Sequence, residues 1–329
     1  MTPTRVAVVG AGRMGQGIAA ALAFGNVSVT VVDLRDRGDA GDSYLRRVSS
    51  AIRAALEHKV TLGLLPRRLL DDVAARVTVV GGIDAGSPMA SADLVFEAVP
   101  EVAEVKREAF AWIETMVAGS VPIASTTSSF LVDDLAGYLS GPERFLNAHW
   151  LNPADLMPLV EVSPGAKTTA ATVDTTCDLL ISVGKTPVRC AASPGYIVPR
   201  LQALVMNEAA RMVEEGVATA ADIDTAVRIG FGSRFAVLGL LEFIDWGGCD
   251  TLFHASQYLR GELGERFAPA PLVESNMNSG RRGIADGAGF YTFGADTVDD
   301  YRAQRIADFA RVLDALGRLP RHEEFATTD

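Results

Sequence analysis

The sequence predicts an α/β protein, with a doubly wound, mostly parallel sheet followed by an all-helical region. Three observations predict it. Short apolar, β-branched runs alternate with segments of helical period from Val6 to about Cys190. A glycine-rich turn joins the first such run to the first helical stretch. Beyond Ser193-Pro-Gly195 the alternation stops and the pattern is helical to the end. A chain of 329 residues is also too long for most single cores. The division expected is residues 1–192 and 193–329.

The elements follow in order. The run from Val6 ends at Gly10, Gly12 and Gly15 follow, and a helix reaches about Phe24. Gly10 permits a tight turn, Gly12 a close backbone approach to a pyrophosphate, and Gly15 close packing of helix on strand. The helix N-terminus presents free N–H groups and a partial positive charge. A second run, Val29 to Asp33, ends on a carboxylate about twenty residues after the glycines, where it can accept from an adenosine ribose. Such a carboxylate repels a 2′-phosphate, so NAD is expected rather than NADP, although Arg35 is close by.

An Arg/Asp/Gly-rich turn leads to a helix from Ser43 to Val60. Arg46, Arg47, Arg53 and Lys59, with Arg67 and Arg68, are either a solvated face or a phosphate-binding rim. Strands are expected at Arg76–Val80, Asp93–Val99, Val121–Ser125, Phe145–His149, Pro158–Val162 and Thr186–Cys190. Helices are expected at Ala103–Met116, Leu131–Leu139 and Thr169–Val183. In the second region Pro199 opens a helix that stops at Gly216. Thr219 and Asp222 form an N-terminal cap for the next, a third region breaks at Gly247-Gly248, and Tyr301–Leu316 closes the series.

A net charge of −11 argues against nucleic acid as a partner. Cys177, Cys190 and Cys249 are widely spaced and expected as free thiols in a reducing cytoplasm. The longest uncharged stretches are broken by Gly, Pro, Asn or Ser, so no membrane span is expected, and the first strand starts too early for a signal peptide. No metal site is expected.

Redox chemistry on a bound dinucleotide needs a group that moves a proton. The candidates are His58, His149, His254 and His322. His149 ends a predicted strand at the edge where ligands gather in open sheets, and Asn152-Pro153 turns the chain just after it. Glu161 interrupts the apolar strand Pro158-Leu-Val-Glu-Val162, and a carboxylate there needs a donor. Either residue alone has an ordinary structural reading. As a pair, the carboxylate fixes the imidazole tautomer and suits it to act as a general base. Ser125-Thr-Thr-Ser-Ser129 offers Ser128 or Ser129 as a helix cap, and Ser128 as a hydroxyl for a substrate oxygen. Glu97, Glu101 and Lys106 flank a strand end where a nicotinamide ribose should lie, or are simply a charged helix start.

A series of motifs in order resembles the 3-hydroxyacyl-CoA dehydrogenase family, 3-hydroxybutyryl-CoA dehydrogenase type. They are Gly10-Ala-Gly-Arg-Met-Gly-Gln-Gly, Glu97-Ala-Val-Pro-Glu, Ser125-Thr-Thr-Ser-Ser, His149-Trp-Leu-Asn-Pro, Leu159-Val-Glu-Val and Gly184-Lys-Thr-Pro-Val. Ser193-Pro-Gly-Tyr-Ile-Val, Asn207-Glu-Ala, Glu214-Glu-Gly-Val, Asp222-Ile-Asp and Gly287-Ala-Gly-Phe-Tyr continue it to about residue 293. The resemblance implies an N-terminal Rossmann-type NAD-binding domain and a helical substrate and dimerisation domain. It also implies NAD-linked oxidation of a short-chain (S)-3-hydroxyacyl thioester, a role in fatty acid metabolism, and a homodimer.

It implies His149 as catalytic base and Glu161 as its partner, with Ser128 and Asn152 at the substrate oxygen. Gly10, Gly12, Arg13, Met14, Gly15 and Asp33 are implied at the cofactor, Glu101 and Lys106 near the nicotinamide ribose, and Lys59 at a CoA phosphate. Three positions depart from the pattern. Pro199 stands where the family usually has Asn, so a contact is lost or supplied by a neighbour such as Gln202. Ser125-Thr126 replaces a Ser-Asn pair. Arg234 stands where many members have Pro-Met-Gly, a form like the gulonate (lambda-crystallin) and carnitine dehydrogenase relatives that act on free hydroxy acids. Arg234 then either clamps a substrate carboxylate or pairs with an acidic neighbour. The alternatives to the thioester enzyme are thus a free 3-hydroxy acid dehydrogenase and a non-catalytic NADH-binding protein.

Overall fold

The structure, a computed structural model, describes residues 4–319. It divides into two compact units, the first running to Met206 and the second starting at Asn207.

The first unit holds β1 (Arg5–Val9), α1 (Arg13–Phe24), β2 (Ser28–Asp33), α2 (Gly41–Thr61), α3 (Leu70–Ala74), β3 (Val77–Gly81), α4 (Gly86–Ala90) and β4 (Leu94–Glu97). It continues with α5 (Ala103–Met116), β5 (Ile123–Ser125), α6 (Val132–Ala136), β6 (Phe145–Trp150), β7 (Leu159–Pro164), α7 (Ala170–Ser182) and β8 (Thr186–Arg189). The eight strands form one sheet in the order β3-β2-β1-β4-β5-β6-β7-β8. Every pairing is parallel except β6 with β7. The order reverses between β1 and β4, which opens a crevice at their carboxyl ends. Alternation along each strand feeds two cores. Val6 and Val8 face one with Ile18 and Leu22 of α1, while Ala7 and Val9 face the other with Phe110 and Ile113 of α5.

Two glycines at the first turn are required by contact. Gly10 has φ +118°, and a Cβ there would lie 2.4 Å from the Ala98 carbonyl carbon. A Cβ on Gly15 would lie 1.9 Å from the Gly10 carbonyl oxygen.

Helix α8 (Val198–Glu214) runs through the division between the units. The second unit adds α9 (Ala220–Ala226), a π-helical turn (Val227–Gly232), α10 (Ser233–Phe235), α11 (Leu240–Gly247), α12 (Cys249–Leu263), α13 (Pro271–Asn278) and α14 (Val298–Ala315). The Thr219 side chain caps α9 by accepting from Asp222 N, and the break at Gly247-Gly248 falls between α11 and α12. The turn Gly287-Ala-Gly-Phe-Tyr291 wraps buried Asp245, whose carboxylate accepts from Phe290 N and Tyr291 N; a Cβ on Gly289 would sit 2.0 Å from that carboxylate. Helix α6 is shorter than the expected Leu131–Leu139, and α3, α4 and α13 were not anticipated. No helix among the described residues is long and apolar enough to cross a membrane.

Candidate active site

The crevice of the first unit is a cleft of ≈ 1690 Å³. That exceeds the roughly 300–1,000 Å³ of pockets for drug-sized ligands, so a dinucleotide and a second molecule fit together.

Gly10, Gly12, Arg13 and Met14 line its centre, and Gly15 is buried behind them. Helix α1 starts at Arg13 with Gly12 as N-cap and no side-chain cap, which leaves the first-turn amides for a ligand. Among the described residues, nothing beyond its chain neighbours lies within 4 Å of where a Gly12 Cβ would be. An uncapped helix end beside an open glycine fits the pyrophosphate of a dinucleotide.

At one end stands Asp33, the last residue of β2. Its carboxylate is already engaged. Arg37 forks onto it, donating from Nε to Oδ2 and from Nη2 to Oδ1 at 3.3 Å. The same guanidinium lies 3.3 Å over the centroid of Tyr44, whose hydroxyl donates to Ala11 O. Arg35 lines the cleft with no ion pair among the described residues. Sequence reasoning looked to Arg35 and missed Arg37.

The suggested basic rim does not converge. Arg53 pairs with Asp71 and Glu57, and Arg47 lies over Tyr44. Lys59, expected at a CoA phosphate, is 4% exposed, lies outside the cleft lining, and donates to the Asp155 carbonyl at 2.7 Å.

Near the middle a buried network fixes the loop after β5. Glu97 is fully buried and accepts from Lys106 Nζ at 3.0 and 3.1 Å, from Ser125 Oγ at 2.5 Å and from Val99 N at 2.8 Å. Burial pushes the Glu97 carboxyl up, against the opposing Lys106 ammonium. Lys106 reaches Glu101 at 3.2 Å as well, so it is sealed between two carboxylates rather than in the cleft wall. Glu101 does line the cleft. It accepts from Thr127 Oγ1, Ser128 N, Ser129 N and Ser129 Oγ. Burial works against the Glu101 anion, yet the Thr127 hydroxyl, Lys106 and Ser129 outweigh it and hold the carboxyl below its usual range. The cap expected of Ser128 or Ser129 is therefore not made. Helix α6 starts with Leu131 at its N-cap and no side-chain bond, and the Ser129 hydroxyl is turned to Glu101 instead. Ser128 is exposed to the cleft, and its hydroxyl has no partner among the described residues.

At the other end the antiparallel register of β6 and β7 sets His149 directly opposite Glu161. His149 Nδ1 lies 2.8 Å from Glu161 Oε2. The second carboxylate oxygen, Oε1, accepts from Ile197 N and Val198 N, both at 2.8 Å, at the start of α8. A fully buried carboxylate is thus held by one imidazole and the N-terminus of a helix. A carboxylate only accepts, so Nδ1 carries the proton and the neutral ring keeps its lone pair on Nε2. Tyr196 stacks on the imidazole at 5.1 Å and 14°. Its hydroxyl donates to Thr127 O and accepts from Asn147 Nδ2, and burial pushes that phenol up. Sequence reasoning named neither Tyr196 nor the helix amides as part of this arrangement.

His149, Trp150, Leu151 and Asn152 all line the cleft, with Asn152 exposed ahead of a cis Asn152–Pro153 peptide. Pro199 and Gln202 line it from α8. Of the other histidines, His58 and His254 are exposed, and His322 lies outside the described residues. Arg234, in the second unit, is exposed, lies 5.8 Å over the Phe243 ring, and makes no ion pair among the described residues.

The family model for the NAD binding domain of 3-hydroxyacyl-CoA dehydrogenase matches residues 5–193, and that for its C-terminal domain residues 195–293. The chain is 32% identical over 319 residues to 5-formyl-3-hydroxy-2-methylpyridine 4-carboxylate 5-dehydrogenase of Mesorhizobium japonicum, covering 95% of this chain and 97% of that protein. It is 35% identical over 304 residues to 3-hydroxyadipyl-CoA dehydrogenase of Escherichia coli, covering 92% of this chain and 60% of that longer protein. The crystal structure of a 3-hydroxyacyl-CoA dehydrogenase from Archaeoglobus fulgidus superposes with a TM-score of 0.75 at 30% identity, covering 96% of this chain and 99% of that one. The chain belongs to the 3-hydroxyacyl-CoA dehydrogenase family and is an NAD-dependent oxidoreductase acting on a small molecule.

Proposed function

We propose that the protein oxidises a short-chain (S)-3-hydroxyacyl thioester, of the 3-hydroxybutyryl-CoA kind, to the 3-oxoacyl thioester, or runs the reverse reaction. The carrying observation is His149, bonded through Nδ1 to an anchored carboxylate and lining the same cleft as the glycine turn. NAD, when bound, supplies the hydride acceptor for C3. His149 Nε2 takes the proton of the 3-hydroxyl, and Glu161 stabilises the imidazolium that forms. The Ser128 hydroxyl and the Asn152 amide hold the substrate oxygen. Gly10, Gly12, Arg13, Met14 and Gly15 form the pyrophosphate turn, Asp33 meets the adenosine ribose, and Glu101, steadied by Lys106, borders the nicotinamide ribose.

The test is His149→Gln, assayed by oxidation of NADH with 3-oxobutyryl-CoA and with free 3-oxo acids. The expected result is loss of kcat on the thioester by about 10²- to 10⁴-fold with NADH affinity retained. Wild-type-like turnover in the variant refutes the role of His149.

A second reading, a free acid as substrate, is favoured by one observation. Arg234 is exposed without a carboxylate partner among the described residues, and the Mesorhizobium relative is named for a free pyridine carboxylate. In that case Arg234 forks onto the substrate carboxylate. The side-by-side assay separates the two, and full activity of Arg234→Ala on a free acid removes the clamp.

The proposed assembly is a homodimer through the helical unit, supported by exposed Val213, Val217, Phe231, Leu240, Leu241 and Leu252. A stable monomer in sedimentation at micromolar concentration would count against it. The proposed setting is fatty acid metabolism in the cytoplasm, in keeping with three free cysteines.

A further inference from the structure

Asn152 and Pro153 are followed by an irregular segment, residues 154–157, whose carbonyls have no strand or long helix to pair with. Carbonyls of that kind, buried at Ala154 and partly buried at Asp155 and Met157, need donors from elsewhere. Two lysines supply them. Lys59, near the end of α2, donates to Asp155 O at 2.7 Å and stands 3.8 Å from Asp155 Oδ2. Lys185, just before β8, donates to Ala154 O at 2.8 Å and Met157 O at 2.7 Å. Both are nearly buried, and each ammonium lies over an aromatic ring, Phe24 for Lys59 and Trp150 for Lys185. Helix α1 closes the segment from a third side, where a Cβ on Gly17 would come within 3.1 Å of the Ala154 Cβ.

Three carbonyls could be satisfied by neutral donors. Sealing two ammoniums against the single carboxylate of Asp155 carries a desolvation penalty that neutral donors avoid. What the charges add is stiffness, because a charge-assisted hydrogen bond is about twice as strong as a neutral one. The stiffened segment carries Met157 of the cleft wall and is separated from Asn152 by Pro153 alone.

We propose that Lys59 and Lys185 are positioning residues for the reaction, two buried ammoniums that fix the loop presenting Asn152 to the substrate. The inference rests on the reading of Asn152 as a substrate contact. Lys185 also makes the hold sensitive to pH. Burial and the neighbouring Lys59 ammonium lower it to about 8, with Asp155 opposing; these are the charged groups acting on it, one from α2 and one from the loop. Below that pH Lys185 is an ammonium. Above it the group is a neutral amine, still bonded but more weakly.

The experiment follows kcat and KM of the full-length enzyme through neutral and alkaline pH, on whichever oxo substrate the His149 experiment finds turned over. KM of the unsubstituted enzyme should rise about fivefold to a plateau above pH about 8, from the weakened bonds. Lys185→Met should sit near that plateau at every pH while NADH affinity is unchanged. Asp155→Asn removes the charge that favours the ammonium, so its alkaline step should move to lower pH. This variant leaves every main-chain bond in place, so it decides the matter even if Lys185→Met fails to fold. A step that Asp155→Asn leaves unmoved overturns this inference while leaving the thioester reading intact. Absence of turnover on every substrate overturns both.

Discussion

Glu161→Gln is the sharpest perturbation of the site. The wild-type carboxylate is fully buried and makes three bonds, to His149 Nδ1, Ile197 N and Val198 N. An amide of the same shape can keep its oxygen on the two helix N–H groups, which then turns its NH2 toward Nδ1. Two donors cannot face each other. The imidazole must therefore shift its proton to Nε2, and the nitrogen left for the substrate becomes a donor with no lone pair. The base is lost although every atom stays near its place. General-base catalysis is worth about 10²- to 10⁴-fold, so kcat should fall by that factor, roughly 3–5 kcal/mol in the barrier. The lost charge at the start of α8 should lower stability by only ~1 kcal/mol, a fall of about 2–4 °C in Tm. Steady-state reduction of NAD with a 3-hydroxy substrate, the direction in which His149 acts as base, gives kcat, fluorescence titration gives NADH affinity, and a thermal melt checks the fold. A folded variant that keeps more than roughly a tenth of wild-type kcat would refute the tautomer argument.

Two further predictions concern the rest of the cleft. Lys106→Met leaves Glu97 buried without its ammonium, so stability should fall by about 3–5 kcal/mol, read as a lowered urea midpoint. Because burial already pushes Glu97 up, the variant's carboxyl should protonate at higher pH, and the deficit should shrink as pH falls. Arg37→Ala removes the guanidinium that shares the Asp33 carboxylate, restoring the repulsion of a 2′-phosphate. The preference for NADH over NADPH in kcat/KM should rise about two- to fivefold, the size of a partly exposed charge interaction; an unchanged ratio would mean that Arg37 does not screen Asp33.

What could be read from the chain alone follows the range of the forces involved. The turn at Gly10, Gly12 and Gly15 and the break at Gly247-Gly248 depend on backbone freedom within a few residues, so composition reveals them. The alternation of strand and helix is local too. The short helices α3, α4 and α13 have no more than eight residues each, too few to display a helical period. Side-chain partnerships across the fold were harder. Ser128 and Ser129 looked like caps because that preference is local, but Glu101, more than 25 residues away, takes the Ser129 hydroxyl and both serine amides with a charge. Lys59 looked like a surface cation because its neighbours are charged. Its inward course is set by Asp155, 96 residues on.

The pairing of His149 with Glu161 shows how an exception in topology makes a site. In a parallel sheet, neighbouring strands are joined by long crossovers and their carboxyl ends lie side by side. β6 and β7 are the antiparallel pair, so a short connection brings the carboxyl end of one strand against the amino end of the next. That reversal sets a residue near the end of β6 opposite one near the start of β7, His149 against Glu161. It also leaves the connecting loop, with Asn152 in it, at the cleft rather than on the far edge. The carboxylate sits inside an apolar strand at a point where the sheet alone offers it only one side-chain donor. The chain returns after β8, with Tyr196 in a left-handed conformation at φ +45°, so that the first amides of α8 meet the second oxygen. The strain of that backbone is of order 1–3 kcal/mol, less than the several kcal/mol that a half-satisfied buried carboxylate carries. The strained turn and the buried anion are thus two parts of one balance.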